Sequence, residues 1–555
     1  MSNRYATLVP KARHATKADG TFTLGPDTPL YVAPGAEAAG DAVRLLLAPL
    51  RLPLRPGTDA DGALSVEVDP AITEPEGYRL TVAPTGIQIA AAGIEGARHA
   101  VQTLRQLLSD NAWRLTALPG TSWTVDCGEV IDAPVLGWRG GMLDVSRHFL
   151  PKRALLRYVD LFAMHRLNRL HLHLTDDQGW RIESRRYPEL NKFGTHRPET
   201  MSGRYRHDPV FDGTPHGGYY TLDDLAEVAA YAAERGITVV PEIDLPGHAS
   251  ALITAFPELG TGGVGVLKGW GISAGILKPI PAAVDLVCAL LDELLEAVPT
   301  PYVHLGGDEC VMKDWPGDPD VSVHMEKLDT TKPADLHGWF LREIAEHLSS
   351  KGKRMVVWDE AFQTGGVRED TIVMCWRGDA IAREAAAAGY DVVRAPVYPT
   401  YLDYDQSNLE TEQLAIGGPI TLADSAGFTP LREDWTEAEL AHVLGGQFQT
   451  WSEYIPNERH LDYMVFPRAC AIAEATWLGG PADYDDLTGR LESAHLARLD
   501  AAGVEYRPLD GPRPWQQGGT GARKHVDGRR YTPESWRAET DETPESGESE
   551  AETVG

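Results

Sequence analysis

The chain is 555 residues long, with 43% hydrophobic and 24% charged residues and a formal net charge of −30 at pH 7. That length exceeds one ordinary domain, and the composition is that of a globular protein. The negative balance argues against a nucleic-acid or anionic-membrane partner, while leaving neutral and cationic substrates open.

The first ten residues lack a charged segment followed by an apolar one, so no secretory signal is read there. No apolar run reaches the length of a membrane span. The five cysteines (127, 288, 310, 375, 470) are scattered and form no C-x-x-C pair. These features predict a reducing, cytoplasmic setting without a disulfide frame, with a non-classical export route left open. Neither a phosphate-binding glycine loop nor a dinucleotide fingerprint occurs, so no cofactor and no metal are expected.

Residues 1–130 read as a separate α+β domain. Strand-like segments at 21–24, 64–68, 78–82 and 87–90 mix with helix-like ones at 40–50 and 96–108. In the last of these Ala97, Val101, Leu104 and Leu108 recur at helical spacing. A mixed sheet with helices on one face is the simplest assembly.

From about residue 137 the pattern becomes an alternation. Short apolar strands are expected at 141–145, 169–174, 238–243, 302–305, 354–358, 371–375, 391–395 and 446–451. Amphipathic helices fit between most of them. The segment 151–166 starts on proline, 222–235 is closed by Gly236 and 336–350 by Gly352. Eight such units predict an α/β fold in which a (β/α)8 TIM barrel occupies 134–506. From about 509 the chain turns polar and then acidic, which predicts a disordered tail over 509–555.

Polar residues sort to the C-terminal ends of the expected strands, the face that carries the active site in this architecture. They are Asp144 with Arg147 and His148, then Thr175-Asp176-Asp177, then Asp244 and His248, then Asp308-Glu309. Trp358-Asp359-Glu360, Trp376-Arg377, Tyr401 with Asp403, and Trp451-Ser452-Glu453 follow. Tryptophan faces beside carboxylates and an arginine suit a sugar, which has apolar C–H faces and a rim of hydroxyls.

Asp308 and Glu309 sit in His304-Leu-Gly-Gly-Asp-Glu-Cys310, where a strand runs into a glycine turn. A glycosidase needs an acid for the leaving oxygen and a group that stabilises the cationic anomeric centre. In a nucleophile-plus-acid pair the two carboxyls flank the bond at about 5 Å or more. Adjacent residues fit that poorly, so the nucleophile is expected from elsewhere, the substrate itself being one source. Cys310 reads as a small packing residue and Asp177 as structural. A rival metal-hydrolase reading rests on His171-x-His173, which also fits barrel packing.

Five ordered segments carry a resemblance. They are Trp138-Arg-Gly-Gly-Met-Leu-Asp-Val-Ser-Arg-His-Phe, His171-Leu-His-Leu-Thr-Asp-Asp-Gln-Gly-Trp-Arg, Pro241-Glu-Ile-Asp-Leu-Pro-Gly-His-Ala, His304-Leu-Gly-Gly-Asp-Glu and Trp451-Ser-Glu. Together they resemble the β-N-acetylhexosaminidases of glycoside hydrolase family 20. The resemblance implies removal of terminal β-linked N-acetylhexosamine from oligosaccharides or glycoconjugates. The 2-acetamido oxygen would be the nucleophile, with an oxazolinium intermediate and retention.

It implies Glu309 as acid and then base, Asp308 as orienter of the acetamido group, and Tyr401 as donor to its oxygen. Asp176 and His248 would set the ionisation of Glu309. Trp358, Trp376 and Trp451 would wall the acetyl group. Arg139, Asp403 and Glu453 would hold sugar hydroxyls, and Trp435 would contribute to the sugar site. The aromatic Trp-Asp-Pro-like stretch of the family is replaced here by Gly427-Phe-Thr-Pro430, with Trp435 just after it. A lacto-N-biosidase-like release of a disaccharide and a catalytically inactive sugar-binding protein are the alternatives on the same scaffold.

Overall fold

The computed structural model describes residues 3–203, 210–262 and 265–518. The N-terminal domain is a six-stranded sheet of β1 (His14–Leu24), β2 (Leu30–Val32), β3 (Leu64–Val68), β4 (Tyr78–Ala83), β5 (Gly86–Ala91) and β6 (Trp123–Asp132), in the order β1-β6-β4-β5-β3-β2. The β1–β6–β4–β5 pairs are antiparallel, and β5–β3–β2 are parallel. Helices α1 (Glu37–Leu47) and α2 (Ile94–Leu107) pack on the sheet through Val43, Leu47, Ala97, Val101 and Leu104, all buried in its core.

The second domain is a closed barrel of eight parallel strands. These are β7 (Trp138–Asp144), β8 (Arg169–His173), β9 (Thr238–Glu242), β10 (Tyr302–His304), β11 (Arg354–Trp358), β12 (Ile372–Cys375), β13 (Asp391–Arg394) and β14 (Val443–Phe448). β14 returns to pair with β7, so no edge remains. Runs such as Met355-Val-Val-Trp358 are buried throughout, as strands covered on both faces require. Around them lie α3 (Lys152–Met164), α4 (Leu222–Ala233), α5 (Pro281–Ala297), α6 (Pro333–Ser350), α7 (Asp379–Ala387) and α8 (Arg468–Leu478). Helix α4 starts with a capping box between Thr221 and Asp224.

The domains share buried contacts. Trp477, near the end of α8, is fully buried in the N-terminal core, and its indole N–H donates to Asp132 at 3.1 Å. Arg166 donates to the same carboxylate at 3.0 Å and to Thr103 at 2.7 Å.

Two sequence expectations change here. The expected tail begins too early. Residues 509–518 lie against the barrel domain, where Gln516 donates to the carbonyls of Glu505 and Tyr506 at 3.1 and 3.0 Å. Residues 519–555 lie outside the described residues. The first and eighth strands each start three residues earlier than read, at Trp138 and Val443, so Arg139 lies inside β7, at its N-terminal end, rather than before it.

Candidate active site

The carboxylate pair is positioned by the turn after β10. Gly306 and Gly307 have φ of 65° and 89°, and Glu309 itself sits at φ 45°. A methyl group on Gly306 would lie 1.6 Å from Asp244 Oδ1, so only glycine fits between the ends of β9 and β10. The turn points Asp308 and Glu309 to the same face of the barrel as His248, also a non-glycine residue with positive φ (48°).

Asp308 is 7% exposed, and its Oδ1 accepts no hydrogen bond among the described residues. Burial pushes its carboxyl up to about 6. The negative charges of Glu309 and Glu242 add to the rise, and His248 opposes it. Such an oxygen is prepared to accept a donor that arrives with a substrate. Glu309 keeps its side chain 22% exposed, and His248 Nε2 lies 3.3 Å from its Oε2. The other ring nitrogen of His248 faces Asp176 Oδ1 at 3.1 Å. Burial would lower the His248 pKa, but Asp176, Asp177 and Asp244 raise it well above the ordinary value.

Trp358, Trp376, Tyr401 and Trp451 come together as expected. Ring centroids are 5.9 Å apart for Trp358 and Trp451, 6.4 Å for Trp376 and Tyr401, and 6.2 Å for Tyr401 and Trp451. The Trp358 indole N–H donates to Glu242 at 2.9 Å, and that of Trp376 to Glu360 at 2.8 Å. These bonds lock the planes of the two walls. Asp403 is buried, its Oδ1 has no hydrogen-bond partner among the described residues, and burial together with nearby Glu453 holds its carboxyl well above the usual range.

Two expected sugar contacts are not in this constellation. Arg139 is the second residue of β7, at the N-terminal end of the barrel. It is fully buried and donates to both oxygens of Glu76, at 3.1 and 2.6 Å, and to the carbonyls of Leu136 and Arg166. It therefore ties the barrel to the N-terminal domain. Trp435 is buried against Cys375, Ile381, Ala382 and Val443, with the Arg394 guanidinium 5.1 Å above its ring. It is core on the outside of the barrel. Phe428 does not replace it, being packed on Gly446 in the main core.

The arginine that does reach the site is Arg147, after the end of β7. Its guanidinium lies 2.7 Å from Asp176, 3.4 Å from Asp144 and 4.9 Å from the Trp451 ring centroid. Burial disfavours its charge, but Asp176, Asp144 and Glu453 outweigh that and hold it protonated. The sequence signal was available. Seven strand residues at about 3.3 Å each separate the two barrel ends, and only the later arginine follows the strand.

His173 has both ring nitrogens occupied, by Glu242 Oε2 at 2.5 Å and Asp176 Oδ2 at 2.8 Å. His171 Nδ1 accepts from Gln447 at 3.1 Å. The pair that carried the metal reading is thus engaged in hydrogen bonds beneath the pocket. Asp177 accepts from the backbone N–H of Ser250 at 3.0 Å through one oxygen, and its other oxygen lies 3.6 Å from His248 Nδ1. Cys310 packs on the cluster around Ile276 and Trp315, and burial raises its thiol pKa far from the reactive range.

Residues 136–479 match the family described as glycosyl hydrolase family 20, catalytic domain, and residues 5–133 match glycosyl hydrolase family 20, domain 2. A β-hexosaminidase of Porphyromonas gingivalis is 33% identical over 92% of this chain, which spans 65% of that protein. One from Akkermansia muciniphila is 33% identical, with 81% of this chain and 88% of the relative covered. Among solved structures, a GH20 exo β-N-acetylglucosaminidase of Vibrio harveyi in complex with N-acetylglucosamine superposes with a TM-score of 0.80. It is 31% identical, covering 92% of this chain and 79% of that one. A mutant Streptomyces plicatus β-hexosaminidase in complex with GlcNAc gives 0.76 at 29% identity, covering 92% and 98%.

Proposed function

The chain belongs to glycosyl hydrolase family 20, and from that premise we propose that it is an exo-acting, retaining β-N-acetylhexosaminidase that uses the substrate's own acetamido group as nucleophile. Its substrates are oligosaccharides or glycoconjugates ending in β-linked N-acetylhexosamine. The observation that carries this reading is the neighbouring pair itself. Asp308 presents a buried oxygen with no hydrogen-bond partner among the described residues, while its neighbour Glu309 stays partly exposed beside His248.

In the first half-reaction Glu309 gives its proton to the glycosidic oxygen as the bond to the anomeric carbon breaks. The acetamido carbonyl oxygen forms the new bond to that carbon, producing an oxazolinium ion. Asp308 accepts the acetamido N–H and balances the positive charge, and the Tyr401 hydroxyl donates to the attacking oxygen. Trp358, Trp376 and Trp451 exclude water and hold the acetyl group in line, where intramolecular attack has an effective molarity of about 10⁵ M or more. In the second half-reaction the Glu309 carboxylate takes a proton from water. That water attacks the same carbon, the ring opens and the acetamido group is restored. Arg147, Asp403 and Glu453 hold the hydroxyls at the closed end of the pocket.

The five free cysteines support a reducing, cytoplasmic setting, which fractionation of the native host tests. The activity is tested with aryl β-glycosides of N-acetylglucosamine, N-acetylgalactosamine, lacto-N-biose and glucose, with and without a thiazoline analogue of the oxazolinium ion. Hydrolysis of the acetamido monosaccharides, blocked by the thiazoline, is expected. Equal turnover of the glucoside, insensitive to the thiazoline, would overturn the proposal.

A further inference from the structure

One buried carboxylate connects the wall of the acetyl pocket to the proton donor. Glu242 is the last residue of β9, and the barrel register places it opposite His173 of β8 and His304 of β10. Its Oε1 accepts from the indole N–H of Trp358 at 2.9 Å, and its Oε2 from His173 Nδ1 at 2.5 Å. The far side of the His173 ring donates to Asp176 Oδ2 at 2.8 Å. Asp176 Oδ1 meets His248 Nδ1 at 3.1 Å, and His248 Nε2 meets Glu309 at 3.3 Å. Trp358, Glu242, His173, Asp176, His248 and Glu309 therefore form an unbroken chain of polar contacts. The His173 ring also touches Trp451 edge-on, with centroids 4.9 Å apart.

The chemistry of each link constrains the next. A histidine with a carboxylate oxygen on both nitrogens must donate from both, so His173 is an imidazolium. That cation fixes Asp176 as a carboxylate, together with Arg147 at 2.7 Å. Asp176 in turn fixes Nδ1 of His248 as a donor and leaves Nε2 for Glu309. Asp177 at 3.6 Å and Asp308 at 3.9 Å also face His248. His171 Nε2 and His304 Nδ1 each lie 3.0 Å from Glu242, and Asp244 follows it two residues on. No side chain in the chain from Glu242 to His248 is more than 3% exposed, so solvent screens the links little.

We propose that Glu242 is a positioning residue with two outputs. It sets the plane of Trp358 against the acetyl group, and through His173 and Asp176 it sets the proton affinity of Glu309. This extends the function proposed above and depends on it. Recognition of the acetamido group and readiness of the acid are thereby coupled through the barrel floor rather than across the pocket.

The experiment compares wild type with Glu242→Gln on an aryl N-acetylglucosaminide, recording kcat and KM across pH. Measurable wild-type turnover establishes the activity separately, so its absence would count against the proposed function and not against the relay. In Glu242→Gln the alkaline limb of kcat/KM is expected to move by about half a pH unit or more. The limb moves up where His173 loses its second proton and down where it keeps it. KM is expected to rise with it, and that rise is expected to be non-additive with the rise in Trp358→Phe. His173→Gln breaks the chain at another link and is expected to displace the same limb without affecting Trp358. A fall in kcat with an unmoved limb in both variants, or additive KM effects, overturns the coupling.

Discussion

Asp308 faces opposing demands at the scale of a single residue. The mechanism needs its anion, yet burial raises its carboxyl to about 6. Two outcomes follow with opposite signs. Activity on acetamido sugars is expected to fall as pH drops through about 6, which a kcat/KM profile records. The folded value is raised above the unfolded one of about 3.9, so ionised Asp308 costs stability above pH 6 and nothing below about pH 4. Asp308→Asn is therefore expected to unfold at higher urea at pH 8, by up to about 2–3 kcal/mol, and to match wild type near pH 4. Its kcat/KM is expected to drop about 10²-fold or more on acetamido substrates. The two arginines differ in function rather than in structural weight. Arg147→Met is expected to raise KM and also to cost stability, because it strips buried Asp176 and Asp144 of a partner, whereas Arg139→Met is expected to cost stability with KM unchanged. Much of the site was legible from residue type and order, because carboxylates and tryptophans after strands have few structural reasons to be there. Arg139 misled because it sits in the same motif as Arg147, one strand length away. Glu242 was passed over as an interior strand residue, although a carboxylate ending Thr-Val-Val-Pro is itself costly to bury.

The turn after β10 is the element on which the site depends. Gly306→Ala would force a side chain into a left-handed φ and onto Asp244. A loss of about 3 kcal/mol or more and of nearly all activity is expected, measured by denaturation and by turnover. By contrast, Thr221→Ala at the start of α4 removes one cap remote from the chemistry. It is expected to lower stability by about 1 kcal/mol with kcat/KM unchanged. Strand positions were readable because barrel strands buried on both faces are nearly continuous apolar runs. The start of β14 was not, since Gly445 and Gly446 interrupt its run. Strand β1 was seen only at its end, because most of its residues are exposed and no alternation marks them. The two-residue ladder of His196–Arg197 with His216–Gly217 has no period to detect.

For the whole molecule, the joint between the domains is electrostatic on one side and apolar on the other. Burial alone would raise the Glu76 pKa, but His99 and Arg139 hold it well below the usual carboxylate range. That stabilisation is fully present above the unfolded value of about 4.3 and is lost as pH falls toward the depressed one. Wild type is expected to lose stability below about pH 4 more steeply than Arg139→Met, which starts about 3 kcal/mol lower at pH 7. Urea titrations at several pH values test this.

The apolar side of that joint bears on how the protein is made. The N-terminal domain leaves the ribosome first, but the indole that completes its core and satisfies Asp132 belongs to Trp477, almost 350 residues later. Until then the nascent domain holds an unfilled gap beside a buried acid, while the barrel itself cannot close before β14 has emerged to meet β7. The first-made domain is thus finished by nearly the last-made helix. A fragment ending at residue 135 is expected to bind a hydrophobic dye and exchange its amides rapidly, and a peptide covering 468–480 is expected to reduce both.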